Sequence, residues 1–231
     1  MQRIGFIGAS GMMGHGMAKN LRAKGWPLAL TVHRNTERVA DLLAAGATQA
    51  ASPKALAADS DIVFLCVTGS PQVEAAVLGE QGLLAGAKPG LLIVDTSTSE
   101  PDSTARLREA SAKQGVRVID APLARTPVEA EAGKLNVMVG ADAADFAALE
   151  PVLRAFAENV FHVGGPGAGH TIKLLNNFIA QAMCTSIAEA FAVARDGFGV
   201  RLDDHAGAGM LGLRKDQHFP EGRGCRTAFG N

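Results

Sequence analysis

Short apolar runs of strand length alternate with alanine-rich stretches of helical periodicity from residue 3 to about residue 163, which leaves few architectures open. The runs that predict strands are 3–7, 28–33, 62–67, 91–95, 117–120, 136–139 and 160–163. Stretches such as 14–24 and 36–45, with helical spacing of their apolar residues, separate the first five. Strands joined through helices pair in parallel, and a parallel sheet is buried on both faces. The alternation therefore predicts an α/β fold with a doubly wound, mostly parallel sheet.

At Gly164-Gly165-Pro166-Gly167-Ala168-Gly169 the pattern changes. A long helix is expected over 170–195, apolar over most of its surface, as suits a helix buried between domains or subunits. The expected domains are the α/β unit over 1–163 and, over 164–204, the start of an all-helical second domain, incomplete here. Over 205–231 the sequence loses periodicity and reads as an irregular tail. Two readings of that tail stay open: an ordinary flexible end, or a truncated or frameshifted one.

Composition excludes some classes. Twenty-two Lys and Arg balance 23 Asp and Glu, so no basic surface for nucleic acid is expected. Cys66, Cys184 and Cys225 have no metal-ligand or CxxC spacing, no cluster predicts a metal, and the set suits a reducing cytoplasm. No apolar stretch approaches the roughly 20 residues that span a bilayer, so no membrane partner is expected.

Gly8-Ala9-Ser10-Gly11-Met12-Met13-Gly14 follows the first strand and opens the first helix. A tight strand-to-helix turn, close backbone approach by a pyrophosphate and free N–H groups at a helix start all favour glycine here. The spacing is GxxGxxG, one residue longer than the GxGxxG fingerprint. The sequence thus reads as a Rossmann-type dinucleotide site. About twenty residues on, where the fingerprint expects a ribose contact, stand His33-Arg34-Asn35-Thr36. No carboxylate is present for a ribose hydroxyl, and Arg34, with Asn35 and Thr36, suits a 2′-phosphate. NADP is favoured over NAD; the plain alternative is a surface arginine at the sheet edge. Val67 and Thr68, at the end of the third strand, are further cofactor candidates.

With these features in place the chain resembles the β-hydroxyacid dehydrogenase family. The resemblance rests on Gly5-Phe6-Ile7-Gly8 through Leu21, on Asp95-Thr96-Ser97-Thr98, and on Asp120-Ala121-Pro122 through Gly140. It continues through Gly164 to Gly169 and Lys173-Leu174-Leu175-Asn176-Asn177. It implies that Thr98 contacts the nicotinamide side of the cofactor and that Lys173 is the catalytic acid/base. By themselves the residues allow this chemistry but also a solvated Lys and Asn at a helix start; the glycine-rich approach and the resemblance favour the former. Lys173 and Asn177 are four apart and share one helix face. Reduction of a carbonyl needs a proton donor and a fixed hydrogen bond at oxygen, and a desolvated lysine can cycle as acid and base. Both residues are thus expected to bind substrate as well as act on it.

The common family loop reads D-A-P-x-S-G-G; here Ala124, Arg125 and Thr126 replace the serine and both glycines. This version is similar to that of sulfolactaldehyde reductases, which implies a small anionic hydroxy acid or aldehyde held by Ala124, Arg125 and Thr126. An Arg125 turned to solvent is the equal alternative. His15 and His170 read as structural, and Cys66 as a small buried residue. By resemblance, an intact protein pairs subunits through its helical domain, so a homo-oligomer is expected. A Lys and an Asp from later helices close the site in the family; Arg214-Lys215-Asp216 has the letters without the helical context. The rival reading is therefore a cofactor-binding fragment without turnover. An imine reductase is disfavoured, since those enzymes usually lack a lysine at the Lys173 position.

Overall fold

A computed structural model describes residues 1–32 and 36–198. His33, Arg34, Asn35, the tail 205–231 and Arg214-Lys215-Asp216 therefore lie outside the described residues. By their contacts, the described residues divide into a unit from Met1 to Asn177 and a second from Phe178 onward.

The first unit is the expected α/β fold. Its strands are β1 (Ile4–Ile7), β2 (Leu28–Thr31), β3 (Thr48–Gln49), β4 (Ile62–Leu65), β5 (Leu92–Asp95), β6 (Arg117–Asp120), β7 (Leu123–Ala124), β8 (Leu135–Gly140) and β9 (Ala157–Gly164). Between them lie α1 (Met12–Ala23), α2 (Ala40–Ala44), α3 (Pro53–Asp59), α4 (Ser70–Leu78), α5 (Pro101–Ala112), α6 (Pro127–Glu131) and α7 (Ala143–Leu153); α8 (Ala168–Phe198) follows β9. The order across the sheet is β3-β2-β1-β4-β5-β6-β8-β7, with β9 on β8. The strands β1 to β6 are parallel, whereas β8 runs against β6.

The period of two along each strand divides the core between the faces. Ile4, Phe6, Leu28, Leu30, Ile62, Phe64, Leu92, Val94 and Ile119 join Met17 and Leu21 of α1 and Leu149 and Val152 of α7 in one cluster. Val63, Leu65, Ile93 and Val118 pack with Leu56 of α3, Val73 and Val77 of α4 and Leu107 of α5 in the other. Every residue of β4 and β5 is buried, which is why these strands read as unbroken apolar runs. Phe64 meets Phe156 edge to face at 5.7 Å and lies nearly parallel to Phe6 at 6.1 Å.

The register aligns the strand ends. Ile7 pairs with Leu65, Leu65 with Asp95, and Asp95 with Asp120. The residues after these strands therefore share one edge. The order turns back between β1 and β4, the crevice where open α/β sheets bind ligands outside their carboxyl ends.

Two expectations need correction. The short strands β3 and β7 are too brief to leave a periodic signal. And one helix, Ala168–Arg195, is long and apolar enough to cross a membrane by length and composition alone. Its polar residues Lys173, Asn176, Asn177 and Gln181 break the run in sequence but do not outweigh it over a full helix. Within it Phe178, Ile179, Met183 and Val193 are exposed.

Candidate functional site

Gly8 adopts a left-handed conformation (φ 98°), and a Cβ there would lie 2.0 Å from the carbonyl oxygen of Cys66 in the neighbouring strand end. A Cβ on Gly14 would lie 2.2 Å from the Gly8 carbonyl oxygen. Only glycine allows this turn and this helix to meet. Gly11 sits at the helix start with no side chain capping it, so the amides of the first turn keep their donors for a ligand. Ala9 is buried, Ser10 and Gly11 are partly so, Met12 is exposed and Met13 packs on the core. These features fit a dinucleotide pyrophosphate.

Val67 and Thr68 follow β4, next to this loop, and Thr68 is exposed. The Val67 amide donates to Ser97 Oγ at 3.0 Å, which ties it to the strand end that carries the exposed Thr98. Cys66, between them and β4, packs against the core; burial pushes its thiol up to about 11, against an opposing hydrogen bond with Thr96. Thr36, the described residue of the His33–Thr36 segment expected to meet the ribose, is exposed ahead of a single helical turn, Glu37–Val39. Arg38 in that turn donates to the Ser10 carbonyl at 3.4 Å. It stands over the glycine loop and was not singled out in the sequence, because its link to residue 10 is made only by the fold.

Beyond β5 and β6 the two pairing carboxylates Asp95 and Asp120 are almost fully buried. Asp95 accepts from the Ser97 amide at 2.9 Å and the Ser99 hydroxyl at 2.6 Å. Asp120 accepts from the amides of Gly167 at 2.7 Å and His170 at 3.0 Å, at the start of α8. The His170 ring is fully buried, with Nδ1 2.8 Å from the Thr104 hydroxyl and Nε2 3.7 Å from Asp95. These links place Thr98 and Lys173 each three residues from one side of a buried Asp95–His170 pair.

Lys173 and Asn177 are half-buried on one face of α8. No carboxylate pairs with Lys173 among the described residues, and desolvation lowers its pKa from the ordinary 10.5. A lysine with that shift gives up its proton more readily than one in water, as an acid/base must.

The loop after β6 is arranged differently. Arg125 adopts a left-handed conformation (φ 83°) that side chains rarely take. Its guanidinium donates to the Lys134 carbonyl at 2.6 Å and pairs with Glu158 of β9. Ala124 pairs with Asn136 in the β7–β8 ladder. Thr126 caps α6 in a reciprocal box with Glu129. The structure therefore gives Arg125 and Thr126 protein partners, and among the described residues no hydrogen bond or ion pair joins them to Lys173.

A second polar cluster, not foreseen as such, joins three helices. His15 of α1 presents Nδ1 to Glu131 of α6 at 2.6 Å and Nε2 to Asp41 of α2 at 3.1 Å, and Lys19 meets Glu131 at 2.9 Å. Both imidazole nitrogens can donate only in the protonated ring. Partial burial depresses its pKa, but the hydrogen bonds to Glu131 and Asp41 more than offset this and raise it above 6.5. Below these contacts Gly16 lies so close to α6 that a Cβ would come within 2.4 Å of the Ala130 carbonyl carbon.

Residues 3–164 match the NAD binding domain of 6-phosphogluconate dehydrogenase. The chain is 37% identical over 194 residues to 2-(hydroxymethyl)glutarate dehydrogenase of Eubacterium barkeri, which takes in 83% of this chain and 63% of that protein. It is 34% identical over 190 residues to 3-sulfolactaldehyde reductase of Escherichia coli strain K12, covering 82% of this chain and 63% of that one. Among solved structures, the 3-hydroxyisobutyrate dehydrogenase of Mycobacterium tuberculosis with L-serine superposes with a TM-score of 0.76 at 28% identity, over 84% of this chain and 65% of that one. The chain spans less than two-thirds of the length of these relatives. It belongs to the β-hydroxyacid dehydrogenase family, carrying over residues 3–164 that family's NAD binding domain of the 6-phosphogluconate dehydrogenase type.

Proposed function

We propose that this chain acts as an NAD(P)-dependent dehydrogenase or reductase on a small anionic 3-hydroxy acid or the matching aldehyde acid. The observation that carries the proposal is Lys173: half-buried, lowered in pKa, and anchored through His170 beside the strand end that bears Thr98. Gly8 to Gly14 would hold the pyrophosphate, while Val67, Thr68 and Thr98 line the strand ends towards the nicotinamide. The cofactor, when bound, supplies the two-electron chemistry. Lys173 donates a proton to the substrate oxygen in reduction and takes it back in oxidation, and Asn177 orients that oxygen.

NADP is the favoured cofactor. The supporting observation is a basic side chain, Arg38, over the glycine loop, four positions after Arg34 in sequence, and Arg34, Asn35 and Thr36 are the proposed contacts of the 2′-phosphate. For the substrate we propose that Ala124, Arg125 and Thr126 flank its anionic end, with Arg125 exchanging Glu158 for the ligand. Arg125→Ala should then raise KM for an anionic substrate about tenfold, and Glu158→Gln should lower it. A KM unmoved by either substitution removes Arg125 from the site. We place the protein in the cytoplasm as a homo-oligomer without membrane or nucleic-acid partners; the exposed apolar residues of α8 support subunit pairing.

The test is fluorescence titration with NADPH and NADH, then turnover of small anionic aldehydes by the wild type and Lys173→Met. Cofactor binding with turnover that falls at least 100-fold in the variant is expected. Tighter binding of NADH reverses the cofactor preference. Binding without turnover leaves a non-catalytic cofactor-binding chain.

A further inference from the structure

The start of α8 is held from a distance. A helix is commonly capped by a side chain next to it in sequence, and such a cap fixes where the helix begins but not where it lies. Here the residue at the helix start is Gly167, and its amide is met by the buried Asp120, 47 residues earlier. The same carboxylate also accepts from the His170 amide. Room for it is cleared by two glycines: a Cβ on Gly140 would stand 2.5 Å from Asp120 Oδ2, and one on Gly169 would stand 2.8 Å from it. The neighbouring strand end contributes Asp95, which faces His170 Nε2 at 3.7 Å; that nitrogen is buried and has no hydrogen-bond partner among the described residues. On the ring's other side Nδ1 meets Thr104 of α5. Lys173 lies three residues beyond His170, so whatever fixes His170 fixes the root of the lysine.

We propose that Asp120, Asp95 and His170 are positioning residues for Lys173, two carboxylates on adjacent strand ends holding the first turn of α8 against the carboxyl edge of the sheet. This rests on the reading of Lys173 as the acid/base. Asp120 supplies two acceptors that orient the helix start. His170 supplies the side-chain strut to Asp95, whose strand continues into Thr98. Neither carboxylate touches the substrate. Their effect is on the aim and the desolvation of the Lys173 ammonium, and small misplacements of a reacting group cost rate steeply.

The test uses the full chain with Asp120→Asn, His170→Ala and His170→Gln. Asparagine keeps the shape but turns an NH2 toward one of the two amides, so one of the held N–H groups loses its acceptor. For Asp120→Asn and His170→Ala, kcat should fall roughly 10- to 100-fold while KM and the NADPH dissociation constant stay within about twofold. The limb of the kcat–pH profile set by Lys173 should move up toward the ordinary lysine value, because the displaced ammonium regains solvent. Amide exchange at His170 and Thr171 should quicken roughly tenfold, and His170→Gln should recover part of each effect. Unchanged kcat, pH limb and exchange in both Asp120→Asn and His170→Ala overturn the proposal. If Asp120→Asn loses NADPH binding through unfolding, the two His170 variants decide. If the wild type turns over no substrate, the functional reading fails by itself. Amide exchange and the Lys173 titration followed by NMR then still decide whether the frame holds the lysine.

Discussion

Arg125 stands where the commoner form of its loop has glycine, and it adopts a left-handed conformation, φ 83°, that glycine takes without strain. The left-handed geometry costs about 1 kcal/mol for a residue with a Cβ, and the exposed pairing with Glu158 returns about that much or less. Arg125→Gly is therefore expected to be about 1 kcal/mol more stable than Arg125→Ala, which keeps the strain and loses the partner; equal midpoints in urea for the two variants would contradict this. His15 makes a prediction with a definite sign. Its pKa is raised in the folded chain, so its contribution is complete below about 6.5 and is lost as pH rises through the raised value. Asp41 and Glu131, partly buried but hydrogen-bonded to His15, are held below their ordinary values and lose their share only as pH falls through those lowered values. Thermal unfolding should thus show a melting temperature that declines between about pH 6 and pH 8, and His15→Gln should flatten that decline; an identical slope in the variant would remove His15 as its source. At this scale the shared helix face of Lys173 and Asn177 was legible because about four residues make one helix turn. The partners of His15, 26 and 116 residues away, were not.

The elements follow from local chemistry wherever a helix begins or a strand is fully buried. Pro53, Pro101 and Pro127 each sit in the first turn of α3, α5 and α6, where the missing N–H costs nothing. Thr126 closes α6 by its reciprocal box with Glu129, and Thr126→Ala should lower stability by about 1 kcal/mol. Contact between elements obeys other rules. Gly16 brings α1 against the backbone of α6, and Gly16→Ala should cost about 1–3 kcal/mol, because the backbone it meets cannot swing aside like a side chain. Urea unfolding checks both values, and a neutral Gly16→Ala would mean that the two helices part easily.

At the scale of the molecule, the crevice between β1 and β4 couples stability to ligand. A cofactor that binds the folded chain alone stabilises it by about 2.7 kcal/mol at a hundredfold excess over its dissociation constant. NADPH should therefore raise the melting temperature of the wild type, while Gly8→Ala, whose Cβ would lie 2.0 Å from the Cys66 carbonyl oxygen, should show no such rise. A shift retained in Gly8→Ala would place the nucleotide elsewhere. The sequence by itself determined the strand–helix alternation, the parallel sheet, the glycine turn and the shared face of Lys173 and Asn177. Each of these follows from periodicities of two and 3.6 residues or from the steric freedom of glycine, all of which act over a few positions. Only the tertiary structure decided that Asp120 caps α8, that His170 faces Asp95, that Glu158 holds Arg125 and that Arg38 reaches the glycine loop. Those contacts join residues 28 to 75 positions apart, and what brings them together is the order and register of the strands, which no local pattern encodes.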